Sequence, residues 1–135
     1  MDVQQLADGL WRWTAAGAGC VYYEAPDAVV LFDPLVPSCE EEKFLEYLDR
    51  DVKQLGLPVS ILLTTERHER SAPFLRERYA ADDRVPAGVE AYLVAGGLAY
   101  FIRPHRALVV ATLDGSATTI AELPVELVLA SELPG

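Results

Sequence analysis

The chain has 135 residues and a mass of 14.8 kDa, which is the size of one globular domain. Hydrophobic residues make up 51% of it and charged residues 24%, a composition that excludes an intrinsically disordered protein. The 11 basic and 21 acidic residues give a net charge of −10, which argues against nucleic acid as a partner. The stretch 67–106 departs from this acidic background, since it holds seven arginines and five acidic residues.

Two features of the sequence concern its cellular location. No apolar run approaches the roughly 18 residues of a membrane-spanning helix, so we expect no membrane partner. The segment MDVQQLADGLWRW at the start contains two aspartates and lacks the regions of a signal peptide, so we expect a cytoplasmic protein. Cys20 and Cys39 lack the spacing of a zinc site or a disulfide scaffold and are expected to be reduced thiols.

The first predicted elements are three strands at 10–14, 20–24 and 28–32, where aromatic and β-branched residues are concentrated. Pro26 and Asp27 predict a tight hairpin between the second and third strands. The third run, AVVLF, is apolar at every position, which is typical of a strand that is covered on both faces.

A helix is predicted next. Ser38 and Glu41 have the spacing of a capping box, and apolar residues then recur at helical spacing up to Leu55. Gly56 and Pro58 predict the end of this helix.

The rest of the chain predicts one buried strand at 59–63, a polar loop, and a second helix that starts at Ser71 and Pro73 and runs to about Ala81. From Val89 onward the runs VEAYLV, LAYFI, ALVVA and VELVL predict antiparallel strands. This order of elements predicts a single domain over 1–135, of the α+β class, with helices packed outside β-sheet.

The loop between the strand at 59–63 and the second helix is dense in functional side chains. Arg67 and Arg70 precede the helix that begins at Ser71, whose free amides and positive dipole end favour anions. We predict that these three residues bind a small anionic metabolite with a carboxylate or phosphate group. The competing interpretation, which is the commoner outcome for such a charged segment, is a solvated loop in which Glu66 and Glu69 neutralise the arginines.

The same loop offers few metal ligands. His68 lies beside Glu66 and Glu69, whereas a catalytic zinc needs three suitable donors, and the second histidine, His105, is expected to be exposed in a turn. The sequence also lacks a GxSxG nucleophile elbow and a glycine-rich phosphate loop. We therefore predict no metal and assign no catalytic residue.

Four segments resemble the metallo-β-lactamase superfamily. CVYYEAPDAVVLFDPLVP (20–37) resembles its early hairpin with an Asp-Pro turn, and VSILLTTERHERSA (59–72) lies where the family carries Leu-Thr-His-x-His-x-Asp-His. HRALVVATLDGS (105–116) is similar to a late strand that ends in Gly-Asp, and 129–134 resembles Leu-x-x-His-Gly-x-Pro. The resemblance covers about residues 8–115 and implies a truncated αββα sandwich.

The metal-ligand positions of this family are occupied by other residues. Direct alignment of the central motif places Thr65, Arg67, Glu69 and Arg70 at its His, His, Asp and His positions, and a shift by one residue places Glu66, His68, Arg70 and Ser71 there. Thr112 stands at the position of the bridging aspartate, with Asp114 two residues later, and Glu132 at the position of the last histidine.

The resemblance therefore implies a short, degenerate member of the superfamily. We expect a noncatalytic pseudoenzyme that acts as a small-molecule-binding or interaction module. The alternative is a divergent metallo-hydrolase that holds one zinc or iron ion with Asp33, Glu66, His68 and Asp114. We also expect a homodimer, because a late strand such as VELVL (125–129) would leave an apolar edge or face uncovered.

Overall fold

The computed structural model describes residues 2–63, 69–94, 97–102, 107–111 and 118–121. Two helices, α1 and α2, lie within these residues at Glu41–Leu55 and Ala72–Tyr79. The strands of the described residues are β1 Asp2–Ala7, β2 Leu10–Ala15, β3 Ala18–Glu24, β4 Val29–Phe32, β5 Val59–Leu62, β6 Val89–Val94, β7 Gly97–Ile102, β8 Ala107–Ala111 and β9 Thr118–Ala121.

The first sheet contains β1 to β5 in sequence order. Neighbouring strands are antiparallel except β4 and β5, which are parallel and are connected through α1. The predicted hairpin at Pro26-Asp27 is confirmed, because Ala25 donates its amide to the carbonyl of Ala28 at 2.9 Å and β3 pairs with β4 around it. The strand β1 was not predicted from the sequence.

The strand β4 is buried on both faces of the first sheet. Val30 and Phe32 belong to a core cluster on one face of the sheet, and Val29 and Leu31 belong to a cluster on the other. All four side chains are fully buried, which confirms that AVVLF is covered on both faces.

The two helices cover one face of this first sheet. Phe44, Leu45 and Leu48 of α1 are buried against it, as are Ala72 and Leu75 of α2. The helical spacing of the apolar side chains of α1 was visible in the sequence, whereas α2 was predicted from Ser71 and Pro73.

The ends of α1 agree only in part with the prediction. Gly56 closes the helix in the left-handed conformation with φ of 64°, as expected for a glycine at this position. The predicted capping box is wrong, because Glu40 is the N-cap residue and no side-chain cap hydrogen bond forms there. Ser38 lies two residues before that position, too early in the chain to cap the helix.

The second sheet packs on the opposite face of the first. Strands β6 to β9 are antiparallel and adjacent in sequence order, as the runs after Val89 predicted for the first three of them. Val89 and Ile102 join the core cluster that contains Val30 and Phe32, and β9 contacts β3. The predicted strand VELVL (125–129) lies outside the described residues.

The described elements therefore form three layers, in the order helices, first sheet, second sheet. This confirms the predicted α+β class with helices outside sheet. Among the described residues, neither helix is long and apolar enough to cross a membrane.

Candidate functional site

Asp33 lies directly after β4, at the edge of the first sheet where the parallel strands β4 and β5 end. It is fully buried, and its amide donates to the carbonyl of Leu62 at 3.0 Å, which extends the parallel pairing by one residue. Its φ of 49° turns the chain out of the sheet toward Pro34. The carboxyl edge of such parallel strands is where α/β sheets commonly place ligands.

Arg70 crosses this edge just before α2. Its Nη1 donates to the carbonyl of Asp33 at 2.7 Å and to the carbonyl of Gly19 at 2.9 Å, and it lies 3.7 Å from Sγ of Cys20. One guanidinium nitrogen thus joins β3, the end of β4 and the start of α2. The main chain at Arg70 is also left-handed, with φ of 45°.

Ser71 connects the start of α2 to the segment after β4. Its amide donates to the carbonyl of Pro34 at 3.0 Å, and its Oγ accepts the amide of Val36 at 2.9 Å. Ser71 is the N-cap residue of α2, as predicted, but its side chain makes no cap hydrogen bond to the helix. Its hydroxyl stabilises the neighbouring loop instead.

Few first-turn amides of α2 remain for a ligand. The amide of Ser71 is used by Pro34, the amide of Ala72 donates to the carbonyl of Glu69 at 2.7 Å, and Pro73 has no N–H group. A small anion here would have to replace some of these partners or use other donors.

Cys20 is the buried thiol of this edge. Burial raises its pKa to about 11, and the favourable effects of the Leu35 backbone hydrogen bond and the nearby Arg70 guanidinium offset that burial only in part. The thiol is therefore neutral at physiological pH. Cys39 is exposed, and both cysteines are free.

The structure brings together three of the residues singled out in the sequence: Asp33, Arg70 and Ser71. Glu69 is described and is exposed, whereas the remaining candidates lie outside the described residues: Glu66, Arg67, His68 and Asp114. Sequence reasoning missed the participation of Gly19 and Cys20, and no motif could have indicated it, since they lie about 50 residues from Arg70.

The described part of this edge does not fit a metal ion. In the direct alignment, Arg70 stands where the metallo-β-lactamase motif has its last histidine, and a guanidinium has no lone pair to offer and carries a positive charge. Over the described ranges, no three His, Cys, Asp or Glu side chains form a group that could hold a metal.

No protein-family model matches the chain, and no curated protein matches its sequence. Among solved structures, the chain is similar to a crystal structure of the DIM-1 metallo-β-lactamase exposed to ceftazidime, with a TM-score of 0.52. The chain has a metallo-β-lactamase-like fold. Identity over this match is 7%, and the match covers 77% of this chain and 66% of the other.

A crystal structure of VMB-1 at pH 5.5 also matches, with a TM-score of 0.49, 9% identity, and coverage of 75% of this chain and 64% of the other. The chain spans just under two thirds of each of these structures. At 7% identity, the likeness to the DIM-1 structure establishes the metallo-β-lactamase-like fold and nothing about activity.

Proposed function

We propose that the protein is a noncatalytic domain with a metallo-β-lactamase-like fold that acts as a small-molecule-binding or interaction module. The observation that carries the proposal is the position of Arg70, whose Nη1 donates to the carbonyls of Asp33 and Gly19. This cation lies beside Asp33, the residue that a metal site at this edge would be expected to use.

The charge of Arg70 disfavours a metal at that point. A catalytic zinc needs three neutral or anionic donors and an open position, and a nearby guanidinium repels the ion without contributing a ligand. The arginine instead satisfies two backbone acceptors, which is a structural role.

Elemental analysis of the full chain, purified without chelator, tests this proposal. We expect much less than one equivalent of zinc, iron or manganese, and no hydrolysis of thioesters, lactones or phosphodiesters. His68→Ala is compared with His105→Ala, which removes the other histidine of the chain. One equivalent of metal that is lost in His68→Ala and kept in His105→Ala would refute the proposal and favour the divergent metallo-hydrolase.

The ligand that we propose for the carboxyl edge is a small carboxylate or phosphate, held by Arg67 and by the N–H groups of Arg70 other than those on Nη1. Thermal-shift and NMR titrations with phosphate, sulfate and small carboxylates should show changes that Arg67→Ala removes. The highest ligand concentration is about 10 mM, which is tenfold above a weak Kd of about 1 mM. If the signals show no arginine-dependent change at that concentration, this ligand class is eliminated.

A further inference from the structure

A cavity of about 260 Å³ lies between α1 and the strands β1 to β4, on the helix-covered face of the first sheet. It is separate from the carboxyl edge that contains Asp33 and Arg70. Of the described residues, five aromatic side chains line it: Trp11, Trp13, Tyr22, Phe44 and Tyr47. We refer to it as the aromatic cavity.

The sequence of β2 produces one wall of this cavity. Alternation along the strand places Trp11 and Trp13 on the face toward α1, whereas Leu10 belongs to the core between the two sheets. Phe44 of α1 packs against Trp13, with ring centroids 5.4 Å apart. Trp11 is only half-buried, so its ring borders open space.

The orientation of these rings is fixed by their neighbours. Trp11 and Tyr22 form an edge-to-face pair with centroids 5.4 Å apart and an interplanar angle of 73°. The Tyr22 hydroxyl donates to Oε1 of Glu24 at 3.2 Å. The cavity therefore has preorganised aromatic walls and needs little ordering to accept a ligand.

Acidic groups accompany the aromatic rings. Asp51 of α1 lines the cavity and is half-buried, and Glu24 is hydrogen-bonded to Tyr22. Burial, followed by the Glu24 and Asp51 carboxylates, raises the pKa of Tyr22 well above its ordinary value, so this hydroxyl stays protonated and neutral. The net charge of −10 adds a negative field around the whole molecule.

One cation of the protein already uses this environment. The guanidinium of Arg50 lies over the ring of Tyr47, 4.7 Å from its centroid. The faces of aromatic rings carry negative partial charge and attract cations in this geometry. Arg50 also lines the cavity, but its guanidinium is engaged by the ring of Tyr47, so an anionic ligand would still meet the Asp51 carboxylate.

We propose that the aromatic cavity binds a small organic cation, such as a quaternary ammonium compound, with its methyl groups against Trp11 and Tyr22 and its charge toward Asp51. Pockets for drug-sized ligands occupy about 300–1,000 Å³, so a cavity of about 260 Å³ suits a smaller molecule. This proposal goes beyond the noncatalytic role of the domain and holds whether or not the carboxyl edge binds metal.

Intrinsic fluorescence measures this binding directly, because both tryptophans of the chain line the cavity. The full chain is titrated at constant ionic strength with choline and with its uncharged carbon analogue 3,3-dimethylbutan-1-ol, which has the same shape. We expect choline to bind with a Kd of about 1 mM or below, and about fivefold more tightly than the analogue. Benzoate is the anionic comparison and should bind more weakly than choline.

Two substitutions on α1 test the role of Asp51. Asp51→Asn removes the negative charge with little change in shape. It should weaken choline binding about fivefold, which is the largest change in Kd expected from the loss of one partly exposed ion pair. Glu46→Gln is the matched control, since Glu46 is exposed on the same helix and does not line the cavity, and it should leave the Kd unchanged.

Three results would overturn the proposal. These are equal affinity for choline and its neutral analogue, tighter binding of benzoate, and equal effects of Asp51→Asn and Glu46→Gln. The first two need only the unmodified protein, so they remain decisive if a variant unfolds. None of them bears on metal content, which tests the noncatalytic role separately.

Discussion

Replacing Arg70 by methionine should destabilise the protein far more than the loss of an ordinary surface arginine. Methionine keeps a long unbranched side chain at this position but removes the donor for the carbonyls of Asp33 and Gly19. These acceptors lie on β3 and at the end of β4, so both would lose a partner in the same substitution. The backbone strain from the positive φ of Arg70 is the same in both proteins.

The magnitude follows from those two bonds. A hydrogen bond that involves a charged group contributes about 1.5–3 kcal/mol, so two of them give an upper value of about 3–6 kcal/mol. Arg70 is half-buried, so in the variant water can reach part of the space that the guanidinium leaves and can hydrogen-bond to the two carbonyls, which reduces the loss of stability. We therefore expect the free energy of unfolding to fall by about 3 kcal/mol, or roughly 10 °C in melting temperature for a chain of this size.

Equilibrium urea unfolding, followed by tryptophan fluorescence, checks this value. Arg76→Met is the matched control, because Arg76 pairs with Asp83 at 2.8 Å in an ion pair whose side chains are 32% and 73% exposed. That control should cost less than about 1 kcal/mol. Equal losses in Arg70→Met and Arg76→Met would refute the structural role of Arg70.

Two further outcomes follow from the structure, and a third follows from the sequence. The exposed thiol of Cys39 should react with a thiol reagent in the native protein, whereas buried Cys20, with a pKa of about 11, should react only after unfolding. Fast reaction of the reagent with the folded Cys39→Ala variant would contradict this prediction. Arg78 lowers the pKa of Asp49 below its ordinary value of 3.8, so the pair stabilises the fold above that pH and its contribution disappears as pH falls through the folded pKa. Asp49→Asn should therefore cost up to about 1 kcal/mol at pH 7 and little in strong acid, and a loss independent of pH in urea unfolding would show that the charge is irrelevant. Light scattering should detect a homodimer at high micromolar concentration, and a clean monomer would eliminate the expected association through an uncovered late strand.

Local patterns in the sequence predict most of the fold. Pro26-Asp27 predicted the hairpin between β3 and β4, the uninterrupted apolar run of β4 predicted burial on both faces, and Gly56 predicted the end of α1, as the structure confirms. These features depend on residues close in the chain, so periodicity and turn chemistry are enough to find them. Two features were predicted wrongly or missed. The strand β1 was missed because half of its residues are polar and its conformation depends on backbone pairing with β2. The capping box was wrong because Ser38 lies too far from the first turn of α1.

The roles of the candidate residues, in contrast, depend on contacts between distant segments of the chain. The sequence offered Arg70 and Ser71 as donors for an anion, but packing places the partners of Arg70 37 and 51 residues away, at Asp33 and Gly19. The aromatic cavity likewise requires Trp11 on β2 and Asp51 on α1 to meet across a helix–sheet interface. Local patterns specify which side chains are buried, whereas the contacts between distant segments follow from how the layers pack, and no spacing along the chain records that arrangement.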